Sequence, residues 1–210
     1  MTFRVANLTK LTSFVFTTMT LTPLHALVTP SVTPGFARFP EPTASININS
    51  NSDAYKKVWK TAINDWNRTE TFKFQLTNSM EADVIAGTSS SYGNNYSGMT
   101  YSKFTSLGSI QHVDAYINPK AFKIYSYSTK EKVIVAQHEL GHALGLSHNQ
   151  ARKSVMYKAN RNVIIQDVDI KGVHVLYSSH GNRVIGPRSQ KFYDPIVVKT
   201  DVHKTPAVKR

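Results

Sequence analysis

The 210-residue sequence predicts an α+β domain organised around one buried helix, and three observations carry that reading. Tyr55, Val58, Trp59, Ala62, Ile63 and Trp66 recur at helical spacing and form one broad apolar face. Short strand-like runs surround that helix in the chain, at residues 44–48, 71–76, 82–86, 98–104 and 110–118. A second helical segment, with Val133, Ile134, Val135, Ala136, Leu140, Ala143 and Leu144, is apolar nearly all round, which marks a central element rather than a surface one.

Taken in order, the chain opens with Arg4 and Lys10, followed by a moderately apolar, uncharged stretch over residues 11–26. This is the pattern of a secretory signal peptide cut after Ala26. It is too short, too rich in threonine and too close to Pro23 to span a membrane well. Residues 27–36 carry Pro30 and Pro34 and read as a linker. A folded domain is expected over residues 37–180. Within it, Asn51 or Ser52 is placed to cap the first helix. Residues 87–97 make a polar loop, and Ser128 with Glu131 has the spacing of a capping box at the start of the second helix. Residues 181–210 form a basic tail without clear periodicity.

Composition narrows the function. Cysteine is absent, which excludes a thiolate nucleophile, a disulfide framework and a cysteine metal site. Export without cysteines points to a secreted, extracellular bacterial protein. The formal charge is +12, which attracts anionic wall polymers, anionic lipids or acidic substrates through the tail. No nucleic-acid-binding pattern accompanies that charge, so no nucleic-acid partner is expected. A monomer is expected.

The chemistry is concentrated in residues 136–148. His138 and His142 are four apart, so a helix projects both imidazoles from one face, with Glu139 beside the first. Helical spacing cannot bring His148 to the same metal, so the chain must turn, and Gly145 is the residue type that adopts positive φ without steric cost. Three neutral imidazoles hold Zn²⁺ and leave a fourth position for water, the arrangement of a catalytic rather than a structural site.

His138-Glu139-x-x-His142-x-x-Gly145-x-x-His148, followed by Ser154-Val155-Met156-Tyr157, resembles the metzincin signature with its Met-turn. Within that clan the chain most resembles the matrixins, the matrix-metalloproteinase-like family, and their small secreted bacterial members. The resemblance runs from about Ala37 to Tyr177. It implies a twisted, mostly parallel sheet of about five strands with an antiparallel edge strand, two helices below it, the active-site helix central, and a small C-terminal subdomain with the Met-turn and a last helix. By the same resemblance residues 98–104 are the edge strand above the cleft, to which an extended polypeptide substrate would add antiparallel. Met156 takes a packing role beneath the imidazoles, and Tyr157 follows it too closely to approach the metal.

Departures from the family pattern are also visible. Asn149 stands where matrixins usually have Ser or Thr, and Lys158-Ala-Asn-Arg161 replaces the usual proline and tyrosine of the S1′ wall, which leaves Ile134 as a candidate lining residue. The loop at residues 87–97 lacks the His and Asp ligands of the family's structural zinc and calcium sites. His112 and Asp114 match only part of such a site, His112 reads as a partly exposed strand residue, and calcium use is left open. The latency cysteine of matrixin pro-segments is missing as well. The expected function is a secreted zinc endopeptidase with one catalytic zinc on His138, His142 and His148 and with Glu139 as general base. The alternative is a non-enzymatic, zinc-containing cell-surface binding protein held to the wall by its tail.

Overall fold

The computed structural model describes Gly35, residues 37–178 and residues 186–199. The expected signal peptide, most of the linker and the end of the tail therefore lie outside the described residues. The elements in chain order are β1 (Thr43–Asn49), α1 (Asp53–Asn67), β2 (Lys73–Leu76), β3 (Val84–Thr88), β4 (Tyr96–Phe104), β5 (Ile110–Ile117), α2 (Pro119–Ile124), α3 (Thr129–Ala143), α4 (Asp167–Ser178) and β6 (Ser189–Pro195). Among the described residues, one sheet contains all six strands in the order β2-β1-β3-β5-β4-β6. Pairings among β2, β1, β3 and β5 are parallel, and those of β4 with β5 and with β6 are antiparallel.

The aromatic stripe on α1 packs as its periodicity requires. Trp59 and Trp66 are fully buried, and each satisfies its indole N–H, as buried tryptophans must. Trp59 Nε1 donates to Gly87 O of β3 at 3.1 Å, and Trp66 Nε1 donates to Gln137 O of α3 at 2.8 Å. Gln137 Nε2 returns a bond to Asp65 at 2.7 Å. Helix α1 is thereby fastened to both the sheet and α3.

Two local expectations change. Ser52 does occupy the N-cap position of α1, but its side chain makes no capping hydrogen bond. Helix α2, absent from the sequence reading, starts from Asn118, whose side chain accepts from Ala121 N at 3.1 Å, with Pro119 at the first helical position. A six-residue helix is too short to show periodicity, so only that cap announces it.

The larger difference is the sixth strand. Residues 189–195 come from the tail and pair along β4, with Thr100 opposite Phe192 and Gly98 opposite Asp194. Strand β4 is therefore not a free edge. Its outer side is occupied by the chain's own C-terminal segment.

Candidate metal centre

Helix α3 is a rigid carrier. Ser128 Oγ accepts from Glu131 N, and Glu131 Oε2 accepts from Ser128 N at 2.7 Å, so the capping box is complete. The other oxygen of Glu131 accepts from Arg161 Nε at 2.9 Å and lies 3.1 Å from Lys199 Nζ. Burial alone would raise the Glu131 carboxyl, but the Arg161 guanidinium and the Ser128 N–H outweigh it and hold the pKa down at about 2.

His138 and His142 lie one helical turn apart, with ring centroids 4.8 Å from each other. The chain then bends at Gly145, where φ is +102° and an added Cβ would lie 2.3 Å from Ala37 O. No other residue type fits both demands. The bend brings the His148 ring to 4.7 Å from His142 and 5.4 Å from His138.

Ligands at 2.0–2.1 Å from a tetrahedral zinc stand about 3.3 Å apart, and His142 Nε2 and His148 Nε2 are 3.2 Å apart. The far nitrogens are fixed by backbone. His138 Nδ1 is 2.6 Å from Val155 O, and His142 Nδ1 is 2.8 Å from Leu146 O. An Nδ1–H given to a carbonyl leaves the Nε2 lone pair for a metal. His138 Nε2 is buried and makes no hydrogen bond of good geometry, although Asp194 Oδ1 stands 3.1 Å away, so its lone pair is available to a metal. Burial lowers the His142 pKa to about 4, keeping it neutral as a ligand must be. Burial acts the same way on His138, but the Asp194 carboxylate overrides it and raises that pKa.

The turn at Met156 packs against the helix that carries His138 and His142. A Cβ built on Gly141 would stand 2.2 Å from Met156 Sδ, so the thioether lies directly against the ligand helix where only glycine leaves room. The turn itself is held by Asp169 of α4, buried at 2% exposure, which accepts from Ser154 Oγ and, at 2.9 Å, from Val155 N. Asn149 N donates to Met156 O at 2.8 Å, and its Oδ1 accepts from Ala151 N, tying the segment after His148 to the Met156 turn. Gly141→Ala is expected to cost about 1–3 kcal/mol through overpacking. Urea unfolding of Gly141→Ala, Met156→Ala and the double variant should show a positive coupling between the two sites.

Glu139 is fully buried rather than facing solvent. Thr100 Oγ1 of β4 donates to its Oε2 at 2.6 Å, while Oε1 has no partner. Burial, followed by the nearby Asp194 charge, raises its carboxyl well above the ordinary range. Gly98 makes the space: a Cβ there would lie 1.9 Å from Glu139 Oε1.

A fourth side chain with a donor atom joins the group. Asp194 of β6 is 3% exposed, with Oδ1 at 2.5 Å from His148 Nε2 and 3.1 Å from His138 Nε2, and Oδ2 at 3.6 Å from His142 Nε2. Ligand atoms of His138, His142, His148 and Asp194 all lie within 4.8 Å of one another, and this is the one such group of three or more among the described residues. Although burial opposes it, the neighbouring histidines, His138 first, keep the Asp194 carboxyl well below the usual range. The donor set, three imidazoles and a carboxylate, fits Zn²⁺.

Residues 43–178 match the matrixin family. The chain belongs to the matrixin family. It is also similar to the Metalloendoproteinase 2-MMP of Arabidopsis thaliana, 24% identical over 189 residues that cover 77% of this chain and 48% of the plant protein. The chain thus spans about half the length of that curated relative.

Other residues singled out in this matrixin's sequence fall as follows. Ile134 is buried in α3. His112 Nε2 lies 3.5 Å from Asp114 Oδ1, both partly exposed on β5 and not part of the three-histidine group. Arg161 was visible only as a departure from the family's S1′ wall. It proves to be fully buried, stacked 3.7 Å over the Tyr127 ring, and bonded to Glu131, Tyr125 O and Val197 O. Nothing in the local sequence distinguishes it from a surface arginine, because its partners lie 30 to 36 residues away.

Proposed function

We propose that this matrixin is a secreted zinc-dependent endopeptidase. The observation that carries the reading is the convergence of three imidazole Nε2 atoms beside a buried carboxylate with one unpartnered oxygen. Zinc held there supplies a Lewis acid and acidifies a bound water. His138, His142 and His148 would hold the ion, with the Val155 and Leu146 carbonyls orienting the first two rings. Thr100 fixes one oxygen of Glu139, so the proton taken from water is accepted at Oε1 and later returned to the leaving amine. An extended polypeptide adds to β4 as an antiparallel strand, held by backbone bonds that do not read side chains.

Secretion follows in this reading from the leader-like first 26 residues. The +12 charge supports retention on anionic wall polymers, which should weaken as salt is raised past about 0.15 M.

One observation favours a second reading, a non-enzymatic protein with a structural metal. Counting Asp194, four protein ligands surround the site, and closed four-ligand sites are typically structural. Against it stand Glu139, which a structural site has no use for, and Gly98, which leaves room for that carboxylate.

Zinc titration by calorimetry is expected to give one ion per chain, with affinity falling at least about 100-fold in His142→Ala. Cleavage of an unstructured protein by the full chain or by an Asp194→Ala variant should stop when a chelator strips the metal. Cleavage that persists without zinc in either protein would end the proposal.

A further inference from the structure

The tail strand occupies two places that a working protease must keep open. Strand β6 covers the outer side of β4 from Ser189, opposite Lys103, to Pro195, opposite Tyr96, using the backbone groups on which a substrate strand would pair. Its alternation points Gln190, Phe192 and Asp194 inward and leaves Lys191 and Tyr193 outside. Phe192 lies flat on the His142 ring, 3.8 Å between centroids and 4° from parallel. Two residues on, the Asp194 carboxylate reaches the nitrogens of all three histidines.

The segment is also anchored beyond the site. Ile196 N donates to Asn95 O at 2.9 Å and Val197 N to Tyr127 Oη at 3.1 Å. Arg161 holds Val197 O, and Lys199 pairs with Glu131 at the start of α3. The Asp194 main-chain carbonyl is engaged by Ser97 Oγ of β4 at 3.2 Å. What this strand offers the metal centre is thus a side-chain carboxylate instead of a peptide carbonyl. A carboxylate ligand occupies the position that water needs and has no scissile bond.

We infer that Asp194 is the fourth ligand of the metal and that residues 189–199 are an inhibitor in cis, docked in the direction and place of an extended substrate. The inference rests on the proteolytic reading above. It would give the chain a means of latency without the cysteine of matrixin pro-segments, and it makes opening of the cleft depend on displacing or cutting away the tail.

The test loads the full chain, Asp194→Ala and Asp194→Asn with cobalt(II) and reads the visible absorption before and after adding azide. The wild-type spectrum should ignore azide because protein fills every position. In Asp194→Ala an open position takes the anion and the spectrum shifts, while Asp194→Asn, equal in shape but uncharged, should respond in between. Should Asp194→Ala fail to fold and lose cobalt, the asparagine variant carries the comparison. In parallel, zinc-loaded Asp194→Ala should cleave an unstructured protein at least about ten-fold faster than wild type, as a shift away from the docked state requires. A synthetic peptide of residues 187–199 added in trans should lower that rate. Identical spectra and azide responses in all three proteins would overturn the ligand assignment, whatever the cleavage rates. Different spectra with equal, measurable cleavage would overturn the inhibition. Different spectra with no cleavage in either protein would uphold Asp194 as ligand and remove the proteolytic reading instead.

Discussion

Glu139→Gln, made in a chain that also carries Asp194→Ala, is expected to keep one bound zinc and to cleave an unstructured protein about 10²–10⁴-fold more slowly than Asp194→Ala alone. That is the range lost with a positioned general base. The substitution preserves the volume against Gly98 and an oxygen or amide for Thr100, so the helix and the three imidazoles stay in place. What disappears is a proton acceptor at Oε1. The measurement is kcat/KM together with zinc content per chain. Equal rates with equal zinc would remove Glu139 from the chemistry, and zinc loss would show it to be structural. The Asp194→Ala background matters because with the tail docked both proteins would be slow for a reason unrelated to the base.

The second large effect concerns stability. Arg161→Ala should cost about 3–5 kcal/mol, since it strips a buried carboxylate of its partner. Glu131 and Arg161 are both almost fully buried, and Arg161 alone bonds to Glu131, Tyr125 O, Ser126 O and Val197 O. Urea unfolding at neutral pH reads the loss. A change below about 1 kcal/mol would mean that Lys199 suffices for Glu131. Acid titration gives an independent check. With the folded-state pKa of Glu131 near 2 against an ordinary 4.5, the unfolded chain takes up the proton first. The pair therefore contributes fully above about pH 5 and its contribution fades as the pH falls from there toward 2. Glu131→Gln should flatten that part of the stability profile. If it leaves the acid limb unchanged, other carboxylates govern acid unfolding.

Much of the fold could be read from the chain because its signals are local. The face of α1 shows as a 3.6-residue repeat, the capping box of α3 lies within four residues, and the bend at Gly145 follows from a ligand that helical spacing cannot deliver. Five of the six strands fall where alternation and β-branched runs place them. Strand β6 escaped because its inward set is Gln190, Phe192 and Asp194, polar at two of three positions, inside a stretch dominated by positive charge. The roles of Arg161, Asp169 and Thr100 were hidden for a different reason: each acts on a group at least 14 residues away, on another element.

By itself the sequence determined the ligand helix, the glycine bend, the three imidazoles with their neighbouring carboxylate, and membership of a metal-binding peptidase family. These depend on spacings of a few residues, which the geometry of one helix and one turn converts directly into positions. Only the tertiary structure decided what stands at the fourth corner. Asp194 and His148 are 46 residues apart, and their contact exists because β4 has an unpaired edge, the tail has the alternation to fill it, and Arg161, Tyr127 and Glu131 hold its end. Each of those conditions is a relation between distant elements, so no window of the chain contains it.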